Sequence, residues 1–261
     1  MSRNERANRI LELVAKSGHI DVEAAAKQLK VSLATIRRDF DELASRQLVT
    51  RTHGGIQAVA SAYDLPLRYK TAKDSKQKQR IAKAAAALVQ RGDRIGLNGG
   101  TTTTEIGREL IGAQRLISGD GDVGLTVVTN AVNIATEMVV RPYIKIVVTG
   151  GVARPQSFEL IGESAAHALD GLVLDIAFIG VNALDIEHGA TANHEGEAKV
   201  GGLIAKAAKR VVVVSASEKL GNAAFARICK ISEVDTLITD NKLTAALRKQ
   251  FEDQGVEVIV C

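Results

Sequence analysis

Two adjacent arginines near the start of the chain lie in a pattern that suits contact with a nucleic acid. Arg37 and Arg38 follow Thr35 and Ile36 in a stretch whose apolar residues have helical spacing. At about 100° per residue, Arg38 lies roughly 200° from Ile36 and so points away from the core of such a helix. Guanidinium and hydroxyl groups on that outer face can reach base edges and phosphates of duplex DNA. The predicted DNA-binding residues are Ser32, Thr35, Arg37, Arg38, Arg51 and His53.

A second group of residues suits the binding of a phosphate monoester. The segment Asn98–Thr104 holds two glycines and four threonines directly after the apolar run Arg94–Leu97, and it is predicted to lead into a helix over Glu105–Leu110. Glycines let backbone N–H groups approach an anion, threonines add hydroxyl donors, and the helix dipole favours negative charge. The segment has neither the P-loop nor the Gly-x-Gly-x-x-Gly pattern, which disfavours a dinucleotide. A tight turn also requires glycine, so this pattern alone is weakly specific.

Other polar segments follow predicted strands, and ligands of parallel α/β sheets bind beyond the carboxyl ends of the strands. Thr129-Asn130 ends one apolar run, Gly150-Gly151 and then Arg154 follow the next, and Lys219 comes shortly after Val211–Val214. A lone lysine is more often a surface residue than a phosphate ligand. The effector-binding residues predicted from these positions are Asn98, Gly99, Gly100, Thr101, Thr102, Thr103, Thr129, Asn130, Gly151, Arg154 and Lys219.

Apolar residues at helical spacing predict three helices in the first part of the chain, and the third contains the arginine pair. Gly18 should end the first helix, and Asp21 and Ser32 are the expected N-caps of the other two. Two helices joined by a short turn, with arginine exposed on the second, form a helix-turn-helix. The β-branched run with Gly54-Gly55 predicts a hairpin that completes a winged helix. The inward-facing positions are Ala7, Ile10, Leu13, Val14, Val22, Ala25, Ala26, Leu29, Ile36, Phe40 and Leu43.

The remaining two thirds of the chain alternates short apolar runs with helix-like segments, which predicts a mostly parallel α/β sheet covered on both faces. The expected organisation is a winged helix over 3–58, a linker over 59–75 and an α/β effector domain over 76–261. The predicted strands are Arg94–Leu97, Thr126–Val128, Ile144–Val148, Ile176–Ile179, Val211–Val214, Thr236–Ile238 and Val256–Val260, and the helices between them include Asn130–Val140, Glu195–Ala208 and Leu243–Gln254.

Composition sets the class of protein that the chain belongs to. Its 261 residues suffice for two domains, and 46% hydrophobic with 25% charged residues is ordinary for a globular protein. Residues 1–90 carry a net charge of +8 and residues 91–261 a net charge of −4. This uneven distribution indicates that the N-terminal part of the chain binds a polyanion. We expect a cytoplasmic protein without a signal peptide, membrane span, disulfide framework or metal site, since Cys229 and Cys261 are the only cysteines.

Thr35–Asp39 together with His53-Gly54-Gly55 closely resembles the winged helix of the DeoR family of bacterial sugar-operon regulators. The order of Gly99–Thr102, Gly150-Gly151, Lys219-x-Gly221 and the segments between them resembles the effector domain of that family. The resemblance implies a fold like that of ribose-phosphate isomerases, adds Glu197 to the site, and implies release from DNA by a phosphorylated sugar. Within the family, Ser157–Gly162 and Asp185–Gly189 look most like regulators of N-acetylgalactosamine and related amino-sugar operons.

Departures from the family pattern and two other functions bear on this interpretation. Asn98 stands where many members have Asp, and Ala216 and Glu218 replace the residues common before the lysine. A sugar-phosphate isomerase would use Glu197 or an Asp as base and Lys219 as electrophile, but the Asn98 and Ala216 changes remove carboxylates. An architectural DNA binder would leave the glycine–threonine segment without a purpose. The sequence therefore predicts a non-enzymatic, cofactor-free regulator that binds an operator as a homo-oligomer.

Overall fold

The computed structural model describes residues 3–45, 48–58, 75–117 and 122–261. The chain divides into two compact units, Met1–Lys73 and Asp74–Cys261. The predicted linker over 59–75 lies outside the described residues, apart from its last residue. None of the described helices combines the length and the apolar content needed to span a bilayer.

The first unit is a three-helix domain with a small antiparallel sheet in the order β1-β3-β2. The three helices and the hairpin are as predicted, but β1 is an additional strand that pairs with β3 through Ile20 and Ile56. Its elements are α1 (Arg3–Ser17), β1 (His19–Asp21), α2 (Val22–Leu29), α3 (Leu33–Ser45), β2 (Val49–Arg51) and β3 (Gly55–Ala58).

The core of the first unit forms where the three helices meet the sheet. Ile36, Phe40 and Leu43 of α3 pack with Ile10 and Val14 of α1, and all five are buried. Burying such side chains contributes about 1.5–3 kcal/mol each before the entropy cost. The inward face of α1 also includes Leu11, a buried residue absent from the predicted set, whereas Ala7 and Leu13 are only partly buried.

The second unit contains a seven-stranded parallel sheet in the order β15-β14-β12-β9-β4-β5-β6. All seven predicted strands are present; two have the predicted bounds, and the ends of the other five differ by at most three residues. The chain runs outward in one direction from β4 and in the other from β9, so the topological switch point lies between these neighbouring strands. The strands are β4 (Arg94–Leu97), β5 (Leu125–Thr129), β6 (Ile144–Val148), β9 (Leu174–Gly180), β12 (Ala208–Val214), β14 (Thr236–Thr239) and β15 (Glu257–Val260).

Helices cover both faces of this sheet, because alternate residues of each central strand enter two separate cores. Phe178 packs with Ile81 and Leu110 on one face, whereas Ile179 packs with Val200 and Phe251 on the other. The helices are α4 (Ser75–Ala87), α5 (Thr101–Ile111), α6 (Val132–Met138), α7 (Glu163–Leu169), α8 (Glu195–Lys206) and α9 (Ala245–Asp253).

Two small antiparallel sheets were not predicted. One is the β7–β8 ribbon, formed by Val152–Arg154 and Glu159–Ile161. The other has the order β10-β11-β13, with strands Ala183–Asp185, Gly189–Ala192 and Ala226–Cys229. Strands of three or four residues are too short to give a recognisable alternation in sequence. The β7–β8 ribbon matters for function, since it carries Arg154 and Glu159.

Candidate functional site

The recognition helix α3 begins with a capping interaction at the predicted position. The backbone N–H of Thr35 donates to Ser32 Oγ at 3.2 Å, and the two hydroxyl oxygens lie 2.8 Å apart. Ser32 therefore satisfies a backbone donor that the helix leaves unpaired at its start. Both predicted DNA-binding hydroxyls are fixed at the N-terminal end of the helix.

Arg37 and Arg38 extend from the outer face of α3 into solvent. Both are exposed, while Ile36 and Phe40 of the same helix are completely buried. Within the described part of the chain, neither guanidinium group has a hydrogen bond or an ion pair. Unpaired arginines on an exposed helix face are available for phosphate and base contacts.

Asp39, the next residue of the motif, has a structural role. Its buried carboxylate is paired with Arg6 of α1, whose Nη2 donates to Oδ1 at 3.0 Å and whose Nε donates to Oδ2. The hydrogen bond between the Arg6 guanidinium and the Asp39 carboxylate raises the pKa of Arg6. The pair connects α1 to α3, the helix whose outer face carries Arg37 and Arg38.

Arg51 of the wing folds back onto α3 rather than extending from the wing. Its guanidinium group forms an ion pair with Asp41 at 2.9 Å, donates to the carbonyl of Gly55 at 3.2 Å and lies 5.7 Å from the centre of the Phe40 ring. These contacts fix the wing against the recognition helix. The prediction that Arg51 binds DNA remains a prediction, and the contacts assign it a positioning role as well.

His53 lies at the exposed tip of the wing, which is fastened to the start of α2. The Val22 N–H donates to the Gly54 carbonyl at 2.9 Å, and a β-carbon on Gly55 would overlap the backbone at Ile20. A cleft of about 540 Å³ lies between the wing and the beginnings of α2 and α3. Its charged and polar lining residues are Asp21, Glu23, Arg37, Arg51, Thr52 and His53.

In the second unit, α5 begins at Thr101, four residues before the predicted start, so the threonines belong to the helix. Gly100 is the N-cap, with a φ of 152° that favours glycine. The hydroxyls of Thr103 and Thr104 donate to the Gly100 carbonyl at 3.1 and 2.7 Å. The hydroxyl of Thr103, a predicted effector ligand, is therefore used within the helix, while half-buried Thr101 and buried Thr102 lie in its first turn. The backbone N–H groups of that turn have no intrahelical acceptor.

Asn98 and Thr129 join neighbouring strands at the carboxyl edge, by which we mean the ends of the parallel strands. Asn98 Nδ2 donates to the Gly180 carbonyl at 2.9 Å, and Asn98 Oδ1 accepts from the Gly180 N–H at 2.7 Å. Thr129 Oγ1 donates to the Leu97 carbonyl at 2.7 Å. Both side chains are buried, and these contacts secure β4 between β9 and β5.

Glu159 is a buried residue of this region that was not predicted to belong to the site. Its Oε1 accepts from the Gly99 N–H at 3.0 Å and from Asn130 Nδ2 at 3.1 Å. A β-carbon on Gly99 would overlap the Glu159 side chain, so glycine is required for this close approach. Three segments distant in sequence therefore meet at one carboxylate oxygen.

Arg154 and Glu197, both predicted, form a largely buried ion pair. Arg154 Nη1 lies 3.4 Å from Glu197 Oε1, and both side chains are at least 87% buried. Arg154 also lies opposite Glu159 in the β7–β8 ribbon. Gly151 begins that ribbon at a φ of 115°, where a side chain would collide with Ile161, so its part is structural.

Lys219 lies close to the switch point because Asp240 holds the loop that carries it. Asp240 accepts from the Ser217 N–H at 2.7 Å and from Ser217 Oγ at 2.9 Å. Burial opposes ionisation of Asp240, but hydrogen bonds from Ser217 and Lys242 outweigh it and lower the pKa of this carboxyl group. Lys219 Nζ donates to the Val181 carbonyl at 2.7 Å, directly after Gly180 at the end of β9.

Five buried side-chain atoms in the described residues have no hydrogen-bond partner, and all belong to segments at or just beyond the carboxyl edge. Buried polar groups are nearly always satisfied, so such a concentration marks a place for water or a ligand. Among the described residues, no group of three or more His, Cys, Asp or Glu side chains could hold a metal ion. The five atoms are Asn130 Oδ1, Asn133 Oδ1, Ser157 Oγ, Glu197 Oε1 and Thr239 Oγ1.

Comparisons with known proteins match both units. Residues 6–62 match the DeoR-like helix-turn-helix domain, and residues 73–241 match the DeoR C-terminal sensor domain. The HTH-type transcriptional regulator GlpR of Haloferax volcanii is 34% identical over 98% of this chain and 96% of its own length. A transcriptional repressor named for the aga operon in Escherichia coli O157:H7 is 30% identical, covering 98% of this chain and 93% of its own.

The glycerol-3-phosphate regulon repressor of Escherichia coli K12 is 27% identical over the full length of both chains. Two family domains in the expected order, together with two relatives of 30% and 34% identity over nearly their full length, establish the assignment. The protein belongs to the DeoR family of DNA-binding, helix-turn-helix transcriptional regulators, and its second unit is the sensor domain of that family.

Proposed function

We propose that this regulator represses a carbohydrate-catabolism operon and leaves its operator when a phosphorylated sugar or amino sugar binds at the carboxyl edge. The observation that carries the proposal is the concentration of buried polar atoms without a hydrogen bond at that edge; Asn133, which holds one of them, bonds to Thr104 of α5. A buried donor or acceptor without a partner costs free energy that a hydroxyl-rich ligand would recover. The names of two relatives, one of a glycerol-3-phosphate regulon and one of the aga operon, agree with this class of ligand.

The phosphate would bind the free backbone N–H groups at the start of α5, where the helix dipole favours an anion. Arg154, already close to this position through the β7–β8 ribbon, would supply a bidentate cation. Glu197 and Lys219 would hold hydroxyl or amino groups of the sugar. Asn98, where many family members have Asp, would support the loop through its two hydrogen bonds to the Gly180 backbone.

The operator would be contacted mainly through Arg37, Arg38 and His53, with Arg51 keeping the wing in position. Arginine–phosphate contacts make such binding weaken as salt concentration rises. We further propose that the protein acts in the cytoplasm as a homo-oligomer on repeated half-sites, because one winged helix covers too little DNA for a specific operator.

Catalysis is not part of the proposal. An isomerase would need a free base and an electrophile beside the substrate carbonyl. Here Glu197 is engaged by Arg154, and the Lys219 ammonium donates to a backbone carbonyl. These contacts favour binding roles for both side chains.

A thermal-shift screen tests the proposed effector. Each phosphorylated sugar and amino sugar is compared with its unphosphorylated parent, on the full chain and on the Arg154→Ala variant. At about 100 times its dissociation constant, the effector adds about 2.7 kcal/mol and raises the melting temperature. We expect one phosphorylated compound to shift the wild type, its parent to have no effect, and the variant to lose the shift. Equal shifts with parent and phosphate ester would refute a phosphate-binding site.

A further inference from the structure

Glu159 lies where the proposed phosphate would first meet the protein. Its Oε1 is 3.0 Å from the Gly99 nitrogen, in the loop directly before α5. The side chain is almost completely buried, and it fills the space left by the missing side chain of Gly99. A carboxylate oxygen therefore already accepts a backbone hydrogen bond in the segment that the sequence marks for an anion.

The contacts on this carboxylate come from both sides of the switch-point loop. Asn130 Nδ2 donates to the same Oε1 at 3.1 Å, while the carbonyl oxygen of the Asn130 amide is buried without a partner. Asn130 is completely buried, so its unpartnered oxygen is an independent sign that a ligand donor is missing from this place. One carboxylate oxygen therefore accepts two hydrogen bonds here, while the neighbouring Asn130 oxygen has no partner among the described residues.

We infer that the carboxylate of Glu159 is a built-in competitor for the effector phosphate, and that it must leave Gly99 when the effector binds. The inference rests on the proposed function, because it concerns regulation of the same site. A phosphate dianion and a carboxylate repel each other strongly at hydrogen-bond distance in a buried site. Occupation of the loop by one therefore excludes the other.

Displacement of Glu159 would be transmitted through the β7–β8 ribbon. Glu159 lies opposite Arg154 in this ribbon, and Arg154 is paired with Glu197 in the first turn of α8. A ribbon that releases Gly99 changes the position of Arg154 relative to α8. The ligand would then bind more tightly to the protein with Glu159 displaced than to the protein with Glu159 on Gly99. A ligand can shift the population between two states only if its affinity for them differs in this way.

The substitution Glu159→Gln tests the inference directly. Glutamine keeps an oxygen that can accept from Gly99 and Asn130, but it removes the negative charge. The matched control is Glu163→Gln, which removes a charge from an exposed residue of α7 paired with Lys199. Binding of inorganic phosphate to the full-length proteins is measured by calorimetry, and Glu159→Ala serves as a second variant with the side chain removed.

We expect phosphate to bind at least tenfold more tightly to Glu159→Gln and to Glu159→Ala than to the wild type, with Glu163→Gln unchanged. Binding by both Glu159 variants but not by the wild type would support the inference equally. If the wild type binds phosphate and neither Glu159 variant binds it more tightly, the competitor role is overturned while the proposed function stands. If none of the proteins binds phosphate or a phosphorylated sugar, both the inference and the proposed function are overturned.

Discussion

Arg37 and Arg38 extend from α3 into solvent without partners in the described residues, whereas most polar side chains expected in the sensor site are hydrogen-bonded within their own unit. Asn98 is bonded to Gly180, and Lys219 is bonded to Val181. The first unit already exposes the arginines that could contact a polyanion such as DNA. In the second unit, a ligand at the proposed site would have to replace hydrogen bonds that Asn98 and Lys219 already make within the protein.

This difference suggests how the two activities are ordered. Under the proposed function, a surface that needs no rearrangement would bind DNA in the absence of ligand, and DNA binding would be the default state. A site whose internal contacts must break responds only to a ligand with higher affinity for the rearranged form. The contrast between a preformed surface and a site in which Asn98 and Lys219 already bond within the protein makes predictions for each unit.

Removing the Asp39 charge should have the largest effect on stability, because Asp39 pairs with Arg6 and so joins α1 to the recognition helix α3. In Asp39→Asn, the largely buried Arg6 guanidinium loses its counter-charge, and the unfolding free energy of the first unit should fall by about 3 kcal/mol. The matched control is Glu42→Gln, which weakens the contact with the mostly exposed Arg3 and should cost less than about 1 kcal/mol. Urea unfolding of the full chain measures both. Equal losses in the two variants would show that the Arg6–Asp39 pair is not the anchor of α3.

Arg38→Ala tests the surface itself. Loss of one arginine contact to a base or phosphate should weaken specific DNA binding by about 2 kcal/mol, or roughly 30-fold, without changing stability or effector binding. Arg248→Ala, an exposed arginine of α9 paired with Glu252, is the matched control. Fluorescence anisotropy with a selected duplex gives the affinities. Retained specific affinity in Arg38→Ala would refute the orientation assigned to α3.

Asn98→Asp tests whether the sensor loop is held by internal bonds. An aspartate keeps an acceptor for the Gly180 N–H but places a second oxygen against the Gly180 carbonyl, so the sensor unit should lose about 1 kcal/mol. Asn182→Asp is the control, since Asn182 contributes an acceptor to the Asn193 N–H and an aspartate preserves it. Chemical denaturation followed by circular dichroism measures the difference. Stability unchanged by Asn98→Asp would mean that the amide donor is dispensable.

The smallest effect concerns Asp175, at the opposite end of the sheet from the site. Hydrogen bonds from Arg94, with a further contribution from Lys209, hold the pKa of Asp175 well below its usual range. A depressed native pKa stabilises the protein above the unfolded pKa of about 4, and this contribution is lost as the pH falls through the native value. Because Arg94 is half-exposed, the contribution at neutral pH should be below about 1 kcal/mol.

Asp175→Asn should therefore lower stability at neutral pH and have progressively less effect as the pH falls below about 4. Asp253→Asn, which removes an exposed ion pair with Lys249 on α9, provides the comparison. Urea unfolding at a series of pH values measures both. A difference between wild type and Asp175→Asn that does not change with pH would contradict the assignment.

Much of the fold was predictable because its signals are local. Continuous β-branched runs such as Val211–Val214 identify buried parallel strands, and the apolar spacing of α3 identifies its core face. The sequence places the start of α5 four residues too late because its first turn consists of threonines, which have a low helix propensity. The ribbon strands were missed because three residues carry no periodicity.

The candidate site was less predictable, because the partners of its side chains are distant in the chain. Glu159 accepts a hydrogen bond from Gly99, which is 60 residues away in sequence, and no local sequence pattern predicts that contact. The position of Arg51 in the wing predicts a DNA contact, but its partners Asp41 and Phe40 become evident only when the hairpin folds onto α3. Residue type and strand-end position identified the region, while the use of each group required the tertiary structure.

The most direct test of the central claim is the affinity of the protein for DNA in the presence of candidate effectors. A duplex selected by the protein from a randomised pool is bound to saturation, and each phosphorylated sugar and its unphosphorylated parent is then titrated while anisotropy is recorded. We predict that one phosphorylated compound lowers the DNA affinity at least tenfold and that its parent does not. DNA affinity unchanged by every phosphorylated sugar and amino sugar would contradict the account of a regulator released by a phosphorylated effector.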